Sequence, residues 1–250
     1  MPNQEHSSQG PESTRRGFLH TAAAAATVGV ATCCRSASAA DPELVLPLTK
    51  AARDALTPDQ IIARAKAGND RFRTGKLQHR DFLVELQKTA DGQSPASVVL
   101  GCIDSRAPAE IIFDLGLGDI FSCRVAGCVE SPDVLGSMEF ATKVSGAKVI
   151  TVLGHSACGA VKGAIANVEL GNLTQLLAKI RPAVEQTEYK GSRTSDKLEF
   201  VDLVARKNIE LTVQRIRKSS PIIAGLEQSK AVKIIGCFYN LATGAVDFII

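Results

Sequence analysis

Apolar positions along this chain follow two rhythms. Short apolar runs at Ser97–Gly101, 120–125 and 148–154 predict buried strands, and the stretches after Pro108, Pro132 and Cys158 predict helices. Strands alternating with helices imply an α/β domain with a mainly parallel sheet covered on both faces. Upstream, Thr57 is a fair N-cap with Pro58 at the first helical position. Ile61, Ile62, Ala65 and Phe72 follow at roughly helical spacing until Gly75 stops the helix. A second short helix is expected over 82–88, then a turn at Asp91-Gly92. The lead-in over 41–58 reads as extended because Pro42 and Pro47 disfavour helix interiors. A long amphipathic pattern over 195–218 uses Leu198, Val201, Leu203, Val204, Ile209, Val213 and Ile216. A strand at 232–239 and a hairpin through Thr243-Gly244 into 246–250 close the chain. There is no internal repeat.

Residues 1–40 stand apart from this pattern. A polar start ends in Ser13-Thr14-Arg15-Arg16-Gly17-Phe18-Leu19, followed by an apolar run over 21–32 and by Ala37-Ser38-Ala39, a sequence suited to cleavage. This reads as a twin-arginine signal peptide and places the mature protein in the periplasm. The run is mostly alanine and shorter than the ~20 residues of a spanning helix, so stable membrane insertion is not expected. Lipoprotein processing at Cys33 fits poorly, because Thr32 stands where a small residue is wanted. Residues 41–250 then form one domain, in keeping with ~100–200 residues per domain.

The net charge of +3 comes from scattered Lys and Arg, which gives no electrostatic footprint for nucleic acid. Aromatic residues make up 4% of the chain and Trp is absent, which weakens a sugar- or base-stacking reading. Of the seven cysteines, Cys33 and Cys34 fall in the signal, and the five left form no regular disulfide framework. Twin-arginine substrates typically cross already folded, so thiolates loaded with metal beforehand would be protected from an oxidising compartment.

Cys102 lies just past the first predicted strand and His155 just past another, with Cys158 three positions on at a helix start. In parallel α/β sheets functional groups collect at the carboxyl ends of strands. Two thiolates and an imidazole suit zinc, and three protein ligands leave a fourth, catalytic position open. The competing reading is two buried cysteines and a capping histidine. A zinc finger is disfavoured because the ligands lack paired spacing. A phosphate loop fails, since Ala160 and Val161 stand where Lys and Ser or Thr are required.

Cys102-Ile103-Asp104-Ser105-Arg106 and His155-Ser156-Ala157-Cys158 resemble the two signature motifs of the β-class carbonic anhydrases. Arg124-Val125-Ala126-Gly127, Gly136-Ser137-Met138-Glu139-Phe140-Ala141, Val152-Leu153-Gly154 and Tyr239-Asn240-Leu241-Ala242-Thr243-Gly244 agree in order and spacing, so the likeness runs from about Thr57 to the end. The other common anhydrase design, with three histidines on zinc, is excluded because His6 and His20 fall in the signal region. That leaves His155 and His79, the latter read as a surface residue.

The resemblance implies Zn2+ on Cys102, His155 and Cys158, and reversible hydration of carbon dioxide to bicarbonate and a proton by hydroxide generated on zinc. Asp104, paired with Arg106, would orient that hydroxide; in some members the equivalent aspartate becomes a fourth ligand and closes the site. The closed type is accompanied by a bicarbonate pocket that uses a Trp where this chain has Val99. An open site is therefore expected here, although Arg124 and Tyr239 match other members of that pocket. Phe121 matches an aromatic wall of the substrate channel, whereas Val125 and Cys128 replace common Asn residues. A Cys123–Cys128 disulfide is one option, packing the default.

The implied fold is a central sheet of about four parallel strands plus an edge strand, flanked by helices. The implied assembly is a homodimer or higher even oligomer, with the helix over 58–75 embracing the partner. Three rivals remain: a carbon disulfide or carbonyl sulfide hydrolase on the same scaffold, a cysteine hydrolase using Cys158 and His155, and a non-catalytic zinc- or bicarbonate-binding module.

Overall fold

A computed structural model describes residues 43–249; the expected signal peptide over 1–40 lies outside the described residues. Helix α1 spans Lys50–Ala55, α2 Pro58–Thr74 and α3 Phe82–Thr89, ahead of strand β1 at Ser97–Gly101. Short α4 (Ala109–Ile112) leads to β2 (Ile120–Arg124), a 3₁₀ turn at Ala126–Cys128, and α5 (Pro132–Glu139), which runs into a π-helical turn at Phe140–Val144. Strand β3 (Val149–His155) precedes α6 (Gly159–Ile165), α7 (Gly171–Ala178), α8 (Arg181–Gln186), the long α9 (Leu198–Ser219) and α10 (Pro221–Gln228). Strands β4 (Lys233–Tyr239) and β5 (Val246–Phe248) end the domain.

The sheet order is β2-β1-β3-β4-β5, with the first four parallel and β5 antiparallel to β4. This is the expected sheet, antiparallel edge strand included. Side chains alternate between its faces. Val98, Leu100, Ile150, Val152, Ile234 and Phe238 pack with Val201, Val204, Ile209, Val213 and Ile216 of α9, while Val99, Val149, Leu153 and Ile235 pack with Ile61 of α2 and Ile112 of α4. On α9 the expected stripe is buried except at Leu198 and Leu203, which face solvent.

Helix α2 starts where its sequence predicts. The Thr57 hydroxyl accepts the Gln60 N–H at 3.2 Å, the Gln60 side chain accepts the Thr57 N–H at 2.8 Å, and Gly75 ends the helix in left-handed backbone at φ 67°. The extended lead-in needs correction: Thr49 caps α1, its side chain accepting from Ala52, so this segment turns helical right after Pro47-Leu48. Helices α7, α8 and α10 are additions to the elements that the apolar pattern predicts. The Cys123–Cys128 disulfide does not form, and all five described cysteines are unpaired.

Candidate metal centre

Parallel register brings the ends of β1 and β3 together, Gly101 lying opposite Leu153. Cys102 follows β1 directly, His155 is the last residue of β3, and the chain then turns sharply through Ala157, at φ 54°, to place Cys158 at the cap of α6. The ligand atoms of Cys102, His155 and Cys158 all lie within 4.8 Å of one another, and the three residues are 5%, 1% and 2% exposed. Together with Gly127, Cys128 and Asn208 they line a cavity of about 10 Å³, the scale of a single ion or water. A larger apolar cavity, about 40 Å³ among Ile61, Ala96, Ile120, Val149 and Ile235, sits at the opposite ends of the strands and contains no cysteine or histidine.

The donor set fits zinc. His155 Nδ1 lies 2.9 Å from the Ser156 carbonyl, so Nδ1 donates and Nε2 keeps its lone pair. Nε2 is buried and has no hydrogen-bond partner, an arrangement that is costly unless a cation or donor meets it. The Gly127 N–H donates to Cys102 Sγ at 3.4 Å. The neighbouring Cys158, with His155 and the Gly127 N–H, outweighs burial and holds the Cys102 thiol well below its ordinary range. Close approach to Cys102, with burial, pushes Cys158 up. Burial works to lower His155, but the adjacent Cys102 sulfur raises it on balance.

Beside the cluster, Asp104 is gripped by Arg106. Nε donates to Oδ1 at 3.0 Å, Nη2 to Oδ2 at 2.8 Å, and the Arg106 backbone N–H to Oδ1 at 3.0 Å. The guanidinium holds this carboxyl well below the usual carboxylate range. Asp104 Oδ2 stands 3.9 Å from His155 Nε2, so carboxylate and triad share one site. Phe121 does not join them within one chain. It packs edge to face on Phe140, with ring centroids 6.2 Å apart, in a separate groove with Cys123, Pro132 and Gly136. His79 is exposed, as expected.

Arg124 has a role the sequence did not reveal. Its guanidinium donates to the carbonyls of Cys102, at 2.9 Å, and Asp104, so it braces the loop that carries both residues. Val99, the position of the missing Trp, is buried in the core. Two α9 side chains also reach the ligand turns: Asp202 accepts the Ala157 N–H at 2.8 Å, and Asn208 donates to the Gly127 carbonyl at 2.7 Å. Nothing in the sequence ties these residues to a site more than forty positions upstream; only folding brings them there.

Fold and site together define a protein of the parallel α/β class with two cysteine sulfurs and an imidazole, a donor set suited to a metal, at the carboxyl end of the sheet. The family model described as carbonic anhydrase matches residues 97–246. Carbonic anhydrase 2 of Mycobacterium tuberculosis is 38% identical over 185 residues, covering 72% of this chain and 86% of the relative. The carbonic anhydrase of Mycolicibacterium smegmatis is 35% identical over 188 residues, covering 73% and 88%. A tetrameric β-carbonic anhydrase of Sordaria macrospora superposes with a TM-score of 0.60 at 25% identity, covering 75% of this chain and 93% of that one. The chain belongs to the β-carbonic anhydrase family.

Proposed function

We propose that this carbonic anhydrase hydrates carbon dioxide reversibly to bicarbonate and a proton, with zinc held by Cys102, His155 and Cys158. The observation that carries the reading is the unpartnered, buried Nε2 of His155, set between two cysteine sulfurs and the carboxylate that Arg106 fixes. Bound there, zinc supplies a Lewis acid that lowers the pKa of water to about 7 and so makes hydroxide available at neutral pH.

The remaining roles belong to the chain. Asp104, ionised and acceptor-only, takes a hydrogen bond from the attacking oxygen and turns its lone pair toward the substrate carbon. Arg106 holds that carboxylate through two side-chain bonds, which favours an open site over one with Asp104 as the fourth ligand. The Gly127 N–H supports the Cys102 thiolate, and the Ser156 carbonyl fixes the His155 tautomer. Among the rivals, a Cys158 nucleophile is disfavoured by a sulfur that is only 2% exposed. The named relatives support the anhydrase reading over a carbon disulfide hydrolase or a binding module.

Assembly as a homodimer or higher even oligomer is part of the same reading. Phe82, Leu83 and Leu86 expose more than half of their surface along α3, and Phe140 does so beside Phe121. A second copy covering these faces would bring Phe121 to a substrate channel; light scattering on the purified chain tests the mass. The periplasmic assignment rests on Arg15-Arg16 and the apolar run that follows. A reporter carrying residues 1–40 should lose export when both arginines become lysine, and unchanged export would overturn the assignment. For the activity, stopped-flow hydration of carbon dioxide should vanish on zinc chelation and return on reloading. Equal rates before and after complete chelation would refute it.

A further inference from the structure

Helix α9 carries its apolar stripe against the sheet, yet two of its polar side chains turn toward the metal-ligand loops. Asp202 Oδ1 accepts the N–H of Ala157 at 2.8 Å, between His155 and Cys158. Six positions on, Asn208 is 1% exposed, and its Nδ2 donates to the Gly127 carbonyl at 2.7 Å. The Gly127 N–H in turn donates to Cys102 Sγ. Each turn contains a non-glycine residue in left-handed backbone, Ala157 at φ 54° and Cys128 at φ 47°. That conformation is unfavourable for any residue with a Cβ, and it persists where neighbouring structure enforces it. Asn208 also lines the cavity shared by the three ligands, and its Oδ1 is buried without a hydrogen-bond partner.

We propose that α9 is the bar on which the metal site is aligned, with Asp202 and Asn208 as positioning residues that hold the two ligand turns at the spacing zinc requires. The inference rests on the zinc reading above. Asp202 sets the turn carrying His155 and Cys158. Asn208 acts on Cys102 through Gly127, by aiming a backbone N–H at the sulfur. Neither residue touches the reacting atoms. Their effect therefore falls on how long the metal stays and on how its ligands are arranged, in the manner of outer-shell groups at metal sites.

The experiment uses the zinc-loaded chain and follows transfer of zinc to a chromogenic chelator. The cobalt-substituted form is examined by its sulfur-to-metal absorption, and the thermal unfolding of each variant is recorded. Asn208→Leu and Asp202→Leu should each release zinc about 10–100-fold faster and alter the cobalt spectrum, whereas Asp202→Asn, which keeps an acceptor oxygen, should stay within about threefold of the parent. Should a leucine variant fail to fold, Asn208→Ala and Asp202→Ala remove the same groups without added bulk and carry the same expectation. Val213→Ala, a cavity in the core stripe of α9, should lower the melting temperature and leave zinc release unchanged. Folded Asp202 and Asn208 variants that release zinc at the parent rate would overturn the proposal. So would a Val213→Ala variant that releases zinc as fast as Asn208→Leu, because general stability would then account for the effect. A parent chain that takes up no zinc would defeat the metal reading itself, and this proposal with it.

Discussion

Gly127→Ala adds one methyl group to the turn that presents an N–H to Cys102. The backbone there is left-handed, at φ 70° and ψ 15°, a conformation that costs a residue with a Cβ about 1–2 kcal/mol. The new Cβ would stand 2.5 Å from Ile180 Cδ1 and 3.3 Å from Ala160 Cβ, and Ile180 is fully buried, with little room to retreat. Overpacking of this kind adds about 1–3 kcal/mol. The total, about 2–5 kcal/mol, is a large part of the roughly 5–15 kcal/mol by which a domain is stable. Urea unfolding followed by circular dichroism measures it. With a slope of about 2–3 kcal/mol per molar, the midpoint should fall by about 0.7–2.5 M. Zinc release should quicken as well, since the turn cannot yield to Ile180 and still hold its N–H on the sulfur. A midpoint shift below about 0.3 M at an unchanged slope, with zinc release unaltered, would refute the claim that this turn is tightly packed and bears on the metal.

Arg106→Ala removes both side-chain bonds to Asp104 and should lower kcat/KM for carbon dioxide about 10–100-fold; Arg106→Lys should recover only part, because an ammonium offers no fork. The folded pKa of Asp104 lies below its ordinary 3.8, so the ion pair adds stability that is fully present above about pH 4 and lost as pH falls through the lowered value. The melting-temperature gap between the parent and Asp104→Asn should accordingly be constant from about pH 5 to 8 and shrink below about pH 4; a gap that widens in acid would contradict the assignment. Thr57→Ala deletes the hydroxyl that accepts from Gln60 and should cost about 1 kcal/mol, seen as a melting temperature lower by about 2–4 °C.

The strands were legible because runs such as Val98-Val99-Leu100 and Val149-Ile150-Thr151-Val152 are buried on both faces of a parallel sheet, where burial and sequence pattern coincide. Helix α2 announced itself through Thr57, Pro58 and Gly75. Helix α10 carries the same kind of signal, Ser220 accepting from Ile223 with Pro221 behind it. Helix α7 does not, and α8 has only Pro182 in its first turn; neither has a side-chain cap, and packing on α6 and α9 fixes them. The triad could be read because its residue types are chemically distinctive and sit at strand ends. Asp202 and Asn208 are ordinary polar residues in sequence, and their bearing on the metal ligands exists only in three dimensions; Arg124 stood out through the family likeness, but its brace on the Cys102 loop comes from the fold.

The most direct test of the central claim is X-ray absorption at the zinc edge on the purified, zinc-loaded chain. Two sulfur ligands near ~2.3 Å with one nitrogen and one further light atom near ~2.0–2.1 Å is the predicted shell, and it should lose one sulfur in Cys158→Ser. A shell of three sulfurs would bring in Cys128, which lines the same cavity, and a shell of light atoms alone would place the metal elsewhere; either result would contradict the assignment of Cys102, His155 and Cys158 as the ligands.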